Sequence, residues 1–437
     1  MTRMRITSFS VHSDKYEERR ELLEAVCIIF IDEAFNLDVK VIEEAVRALV
    51  GNRTVVFVFI GDTRQILPVI QNGTAQDIIG ATLTSSMLWS RTTVFFLVEN
   101  KRLTQLESSL SNTSTPEEIE FANGQRAFAL TILQLGGGNF NNGTTSTFNL
   151  MEKIDGLVQV NVVALPDVKH FSTSEQDAAL DWLHPLESEV DPATGSLRPS
   201  LTNGAELTNR VILAAKNERV DYWNSRIQTM NPNPTYELKS HVTFSDVDDP
   251  YGHLTSLLTE ETLNAYSNNK VPNHILNIKK GDICLVMRPL KASGVASNTR
   301  VLIEDIKSKV IKAITLDGAN QVVFIPRMRF KFSLQYTSSF NMTRVAFPLK
   351  LCYAMTINKS QGQGFQQALL DFTDDCFSHG HAYVSFSRAR AFDKIRVIVR
   401  DDKIVEVPFK ETNGDINHKW VPAIVNTVYP SVIQKSN

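Results

Sequence analysis

The chain of 437 residues is 43% hydrophobic and 21% charged, which excludes a disordered or fibrous polypeptide and leaves room for two or three separate cores. A formal net charge of −3 excludes an overall basic footprint, so any nucleic-acid binding has to come from a local groove. Cys27, Cys284, Cys352 and Cys376 are far apart and fit neither a zinc site nor a disulfide framework; no apolar run reaches transmembrane length and residues 1–20 lack a signal-peptide core, so an intracellular, soluble protein is expected.

Residues 1–24 are polar and mixed, with a short helix expected from Asp14 into Ala25. The stretch 26–69 then reads as strand, acidic turn, helix, strand, polar turn. Residues 26–31 are a continuous apolar run of strand length, as in a parallel strand covered on both faces, and Asp32 and Glu33 stand at its end. Asn36 or Asp38 can cap the next helix, where Val41, Ile42, Ala45, Val46 and Leu49 recur at helical spacing and Gly51 can close it. A second buried run, 55–60, delivers Gly61, Asp62, Thr63, Arg64 and Gln65 to the same sheet edge, where open α/β sheets bind ligands. This pattern suits nucleoside-triphosphate hydrolysis. Asp32 is placed to hold a Mg²⁺ bridging the phosphates, with Asp62 beside the nucleotide; Glu33 can orient or deprotonate the attacking water, and Gln65 can sense the γ-phosphate.

IIFIDEA followed by GDTRQILPVIQNG resembles motifs II and III of the petite-integration-frequency (PIF) and RecD-like DNA helicases of superfamily one. The nearest flavour is the helicase part of Helitron rolling-circle transposons, whose GDFRQILPV turn is nearly repeated with Thr63 in place of Phe. The resemblance implies an α/β protein of P-loop NTPase type: two RecA-like domains around an ATP cleft, the second carrying a small SH3-like β-barrel insert. Such a helicase carries G-x-x-x-x-G-K-[ST] before the Asp-Glu pair, yet the chain contains no Gly-Lys dipeptide. The expectation is a chain truncated at its N-terminus, or a member that has lost the loop.

Further along, SSMLWSRTTVFFLVENKRL resembles the family's motif IV region, with Leu97, Asn100 and Arg102 following a strand at 95–98; the resemblance makes Arg102 a finger that reaches the γ-phosphate. Residues 107–115 read as a linker. Thr115, Pro116, Glu117 and Glu118 form a strong helix start, and that helix is expected to run towards Leu135. The glycine-rich 136–147 follows a helix and has no lysine, so it reads as a loop and not as a phosphate cradle. A short strand at 159–164 and a polar connection at 184–206 precede a strand at 211–214 and a helix bearing Val220, Trp223 and Ile227 as core residues.

From 236 to 333 the period changes to short strands, with a hairpin at Leu316, Asp317 and Gly318, as expected of the β-barrel insert. Lys279, Lys280 and Arg288 could face a phosphate backbone, though solvated surface is the commoner fate of such charges. PLKLCYAMTINKSQGQGF then matches motif V through Thr356, Lys359, Ser360, Gln361 and Gly362. GHAYVSFSRA resembles motif VI, with His381 and Ser385 as departures from the family's Gln and Ala and Arg388 as the second arginine finger. Residues 401–437 carry no recognisable signal.

The resemblance divides the chain at 1–106 (first RecA-like domain), 107–235 (second, first part), 236–345 (insert) and 346–437 (second, with motifs V and VI). It implies an ATP- and Mg²⁺-dependent 5′ to 3′ DNA helicase. Asp32, Asp62 and Gln361 would contact nucleotide or metal; Glu33, Gln65, Arg102 and Arg388 would be catalytic; Thr356, Lys359 and Ser360 would touch DNA. The substrates expected are single-stranded and forked duplex DNA, with transposase or replication partners, in a nuclear setting of repair, recombination, telomere maintenance or transposition. The alternatives are a remnant that binds single strands without turnover, and an accessory module whose partner supplies the missing segment.

Overall fold

Alternation decides how the first strands bury. In the computed structural model β1 (Ile28–Ile31) and β2 (Val56–Phe59) pair in parallel, from Ile28 opposite Val56 to Ile31 opposite Phe59. Ile29, Ile31, Phe57 and Phe59 pack with Phe35, Ile42 and Leu83, whereas Ile28, Phe30 and Val56 stay about half exposed, at 53%, 52% and 53%. The expectation of a strand covered on both faces therefore fails: among the described residues one face is covered, and successive side chains point to opposite faces. The described residues are 26–50, 54–110, 114–140, 147–184, 188–190, 197–199, 209–245, 271–333, 341–410 and 416–434. The helix expected from Asp14, the Gly51 stop, residues 141–146 of the glycine-rich loop and most of the 184–206 connection lie outside them.

The described chain divides into two compact units, one of residues 1–176, 360–364 and 369–437, the other of 177–359 and 365–368. In the first, helix α1 (Val39–Val50) buries Val39, Ile42, Ala45 and Leu49. Asp38 caps it, its Oδ1 accepting from Lys40 N at 2.9 Å. The long α2 (Pro116–Gly137) starts with proline and a capping box, in which Thr115 accepts from Glu118 N and Glu118 from Thr115 N, and ends on Gly138 at φ +68°. Gly136 and Gly137 thus belong to the helix, and not to a loop. A four-stranded antiparallel sheet adjoins it: β3 (Phe148–Asp155), β4 (Val158–Ala164), β5 (Ile404–Lys410) and β6 (Ile416–Val428), in the order β5-β6-β4-β3. Asn426 and Gln159 anchor the end of α2 by donating to Leu135 O and Gly138 O.

Two expectations for the 92–115 region are corrected. Residues 95–98 form no strand and have no ladder partner among the described residues, and Phe95, Leu97 and Val98 are 86%, 99% and 91% exposed. High β propensity alone does not make a strand where no neighbour accepts its hydrogen bonds. The expected linker is partly helix, Lys101–Ser109, capped by Asn100.

In the second unit, strand Ala354–Thr356 pairs in parallel with Arg210–Ala214, and helix Asn217–Met230 buries Val220, Trp223 and Ile227 as anticipated. It also buries Asn224, whose Oδ1 accepts from Tyr353 N (2.8 Å) and Ala354 N (2.9 Å) while its amide donates to Ala354 O. The expected short strands all form. Val322–Pro326, Val310–Thr315, Arg300–Ile306, Ile283–Val286 and Leu349–Leu351 make one antiparallel sheet, and His241–Ser245, Asn341–Ala346 and Met328–Ser333 another. Gly318, at φ +87°, lies in the turn joining the outer two strands of the first sheet. The basic residues there have intramolecular partners: Lys279 Nζ donates to Gln228 O and Asn231 O at the helix end, Lys280 pairs with Asp305, and Arg288 lies 4.1 Å over the Phe330 ring. No described helix is long and apolar enough to cross a membrane.

Candidate active site

The site begins with a strained residue. Glu33, directly after β1, sits at φ 53°, ψ 39°, a left-handed backbone that a residue with a Cβ rarely adopts. The turn is held from both sides: Glu33 N donates to Asp32 Oδ1 (3.0 Å), and Ala34 N donates to Ile60 O (2.9 Å) at the end of the neighbouring strand. Gly61 must lack a side chain here, since a Cβ would stand 2.7 Å from Phe35 Cδ2. These contacts tie the two strand-end turns together, as their placement on one sheet edge predicted.

The second turn is fixed by Asp62. Its Oδ1 accepts from Arg64 N (3.0 Å), its main-chain carbonyl from Gln65 N (3.2 Å), and its Oδ2 from the Tyr383 hydroxyl (2.5 Å), 321 residues away. Burial, with Asp62 next, pushes the Tyr383 hydroxyl pKa up, so it stays protonated and donates.

Gln361 joins the two turns. Its Nε2 donates to Glu33 Oε2 at 3.0 Å and to Gln65 Oε1 at 2.9 Å, across 328 and 296 residues of sequence. Both partners accept, which fixes the orientation of the amide. Its Oε1 is buried with no hydrogen-bond partner. Arg388 lies close enough to interact electrostatically with Glu33. It is buried, with Nε donating to Val384 O and Nη1 to Ser360 O (3.2 Å) and Gln363 O (2.7 Å), so its charge is pinned on the turn that carries Gln361. Glu33 has a raised pKa: burial is the main cause, opposed by the Gln361 hydrogen bond and by Arg388, and reinforced by Asp32 and Asp62. A carboxylate so shifted is a better proton acceptor than an exposed one.

Asp32 is exposed at the rim. No group of three or more His, Cys, Asp or Glu among the described residues could form a closed metal cage. Arg102 falls in the first turn of its helix, and its side chain lies outside the described residues. Thr356 and Lys359 belong to the second unit, at the end of strand Ala354–Thr356 and in the short helix Ile357–Ser360. Burial lowers the Lys359 pKa, with Lys350 adding to the effect. Ser360 is buried, and its carbonyl accepts from Arg388 Nη1.

Three residues about the site escaped the sequence reading of roles: Tyr383, Gly380 and His379. The first two lie inside the quoted motif, where only Arg388 drew attention; His379, just before it, gave no signal.

The described architecture is the mixed α/β fold of solved Pif1 helicase structures. It covers 90% of the chain in the structure of two Pif1 helicases unwinding forked duplex DNA (TM-score 0.53, 14% identity, 75% of that chain). For the Candida albicans Pif1 helicase the share is 88% (TM-score 0.51, 17% identity, 76% of that chain). Bacteroides Pif1 with ADP-AlF3 and single-stranded DNA is matched over 90% (TM-score 0.53, 15% identity, 74% of that chain).

Residues 7–146 match the PIF1-like helicase family model. The rat ATP-dependent DNA helicase PIF1 is 28% identical over 135 residues, 30% of this chain and 20% of that protein, and the Xenopus laevis enzyme is 29% identical over 137 residues, 30% and 21%. The chain spans about a fifth of the length of the curated relatives it matches.

Proposed function

We propose that this chain carries the motor chemistry of an ATP-dependent DNA helicase, translocating 5′ to 3′ on single-stranded DNA and opening forked duplexes. One observation carries the reading: Gln361 Nε2 hydrogen-bonded at once to Glu33 and Gln65, from three distant segments. In this reading Glu33 orients the attacking water and takes one proton from it, while the other O–H donates a hydrogen bond to Gln361 Oε1. Gln65 and Gln361 link nucleotide state to the DNA track, and Arg388, with Arg102 from its own helix, offsets charge on the transferred phosphoryl group. Asp32 would hold Mg²⁺, which supplies Lewis-acid neutralisation of the phosphates when bound, with Asp62 beside the nucleotide. Thr356 and Lys359 touch the DNA backbone, with Ser360 shaping their turn.

The domain borders near 106, 235 and 345 and the SH3-like character of the insert belong to the same proposal. So do a nuclear setting and a role in repair, recombination, telomere maintenance or rolling-circle transposition alongside a transposase or replication partner; the Helitron-like GDTRQILPV turn favours the last. The test is ATP hydrolysis by the 437-residue chain with and without single-stranded DNA, beside Glu33→Gln. DNA-stimulated turnover lost in the variant is the expected result. The absence of any Gly-Lys dipeptide favours a second reading, a single-strand binder without turnover. DNA affinity indifferent to ATP, with no hydrolysis, would select it.

A further inference from the structure

The turn that carries Gln65 is held from behind by contacts that the roles above leave unused. His379 Nε2 lies 2.8 Å from Thr63 O, and Tyr429 N lies 2.8 Å from His379 Nδ1. A carbonyl only accepts and a main-chain N–H only donates, so the ring is neutral with its proton on Nε2, and both nitrogens are used. The next residue, Gly380, is at φ +75°, and a Cβ there would stand 2.6 Å from Arg64 O and 2.7 Å from Gln65 C. Backbone therefore seats on backbone. One helical turn on, the Tyr383 hydroxyl donates to Asp62, whose other oxygen holds Arg64 N. Behind His379 the Tyr429 ring stacks at 5.3 Å, and Tyr429 packs with Val432, Leu67 and Ile79.

We propose that His379 and Tyr383 are positioning residues for Gln65, bracing residues 62–65 against the 379–383 segment and, through Tyr429, against the end of β6. The brace acts on the linked set of Gln65, Gln361 and Glu33 to which the proposed function assigns ATP hydrolysis and its coupling, and rests on that reading. Without it Asp62 and Thr63 lose two long-range anchors, and Gln65 Oε1 drifts from Gln361 Nε2. A displacement of about 1 Å at a reacting group is enough to cost up to about a hundredfold in rate. Burial holds the His379 pKa down to about 4, which keeps the bridging tautomer in place at neutral pH.

Two near-isosteric variants separate positioning from core filling. His379→Gln retains a donor able to reach Thr63 O and gives up the acceptor for Tyr429 N; His379→Asn retains that acceptor and cannot reach Thr63. Tyr383→Phe removes only the hydroxyl. The readouts are amide hydrogen exchange at Arg64 and Gln65, and kcat and KM for ATP, all on the full chain. His379→Asn and Tyr383→Phe should speed exchange at both amides by about tenfold or more and lower kcat by about tenfold with KM for ATP within about twofold. His379→Gln should remain near wild type in both readouts.

Equal behaviour of the Asn and Gln variants, or unchanged exchange at Arg64 and Gln65, overturns the proposal. If neither histidine variant folds, Tyr383→Phe alone decides. Wild-type protein that hydrolyses nothing would defeat the functional reading while the exchange comparison still judges the brace.

Discussion

Glu33 pays for its position twice, in a left-handed backbone and in a carboxylate taken partly out of water. Its folded pKa lies above the ordinary value, so the native state binds this proton more readily than the unfolded chain. Its contribution to stability is then fullest below the unfolded pKa and is lost as pH rises through the folded one. Glu33→Gln should therefore raise the melting temperature at pH 7, lose that advantage below about pH 4, and still lower turnover by about a hundredfold or more; calorimetry at the two pH values beside an ATPase assay checks both parts. The buried histidines act with the opposite sign. His184 is pushed down to about 3 and His379 and His381 to about 4, mainly by burial. Unfolded histidines take up protons below about pH 6.5 and these do not, so stability falls on acidification from there to about pH 4, by about 1.4 kcal/mol per pH unit for each histidine titrating alone in the unfolded state. Urea titrations at pH 7 and pH 5 measure the slope; a flat profile would show the rings exposed. Placement was legible where spacing pointed to it: Asp32, Glu33 and Gln65 stand on neighbouring strand-end turns, as the two apolar runs imply. That Gln361 completes the set was readable only through family resemblance, and His379 was not readable at all, because a lone histidine beside glycines has no pattern.

At the scale of elements, the segments with strong local signals formed where expected: α1 with Asp38 as cap, α2 with its capping box, and the short strands between 283 and 333. The sheet strands β3, β5 and β6 were missed for physical reasons. All but the first two residues of β3 are exposed, so Leu150, Met151 and Ile154 break the alternation that marks a half-buried strand. In β6 a proline interrupts the run: Pro422 is the last residue paired with β5, and pairing with β4 begins at Ala423. The proline, unable to donate to a ladder, stands where the strand changes partners. Asn224 is another element-level device. It satisfies three backbone groups of the Tyr353–Ala354 segment leading to Thr356, so Asn224→Ala should cost about 2–4 kcal/mol in a denaturant titration, with Asn224→Asp recovering only part of it. Gly380→Ala meets both left-handed strain and the Arg64 and Gln65 backbone, and a loss of about 3 kcal/mol or outright misfolding is expected by circular dichroism melting.

For the molecule as a whole, the sequence pattern foretold an α/β chain with a β-rich portion, and the division into two units confirms separate cores without following any single composition break. Which distant motifs share a unit is a matter of topology, and local periodicity carries no record of it. Residues 360–364 belong to the unit of Glu33 although the chain on their N-terminal side belongs to the other. That interleaving bears on how the protein is made. Glu33 and Gln361 are 328 residues apart, so at ribosomal speeds of about 5–20 residues per second the carboxylate is added to the chain roughly 16–66 seconds before its partner. A rare-codon slowdown placed just before codon 360 would lengthen that wait without altering one atom of the finished site.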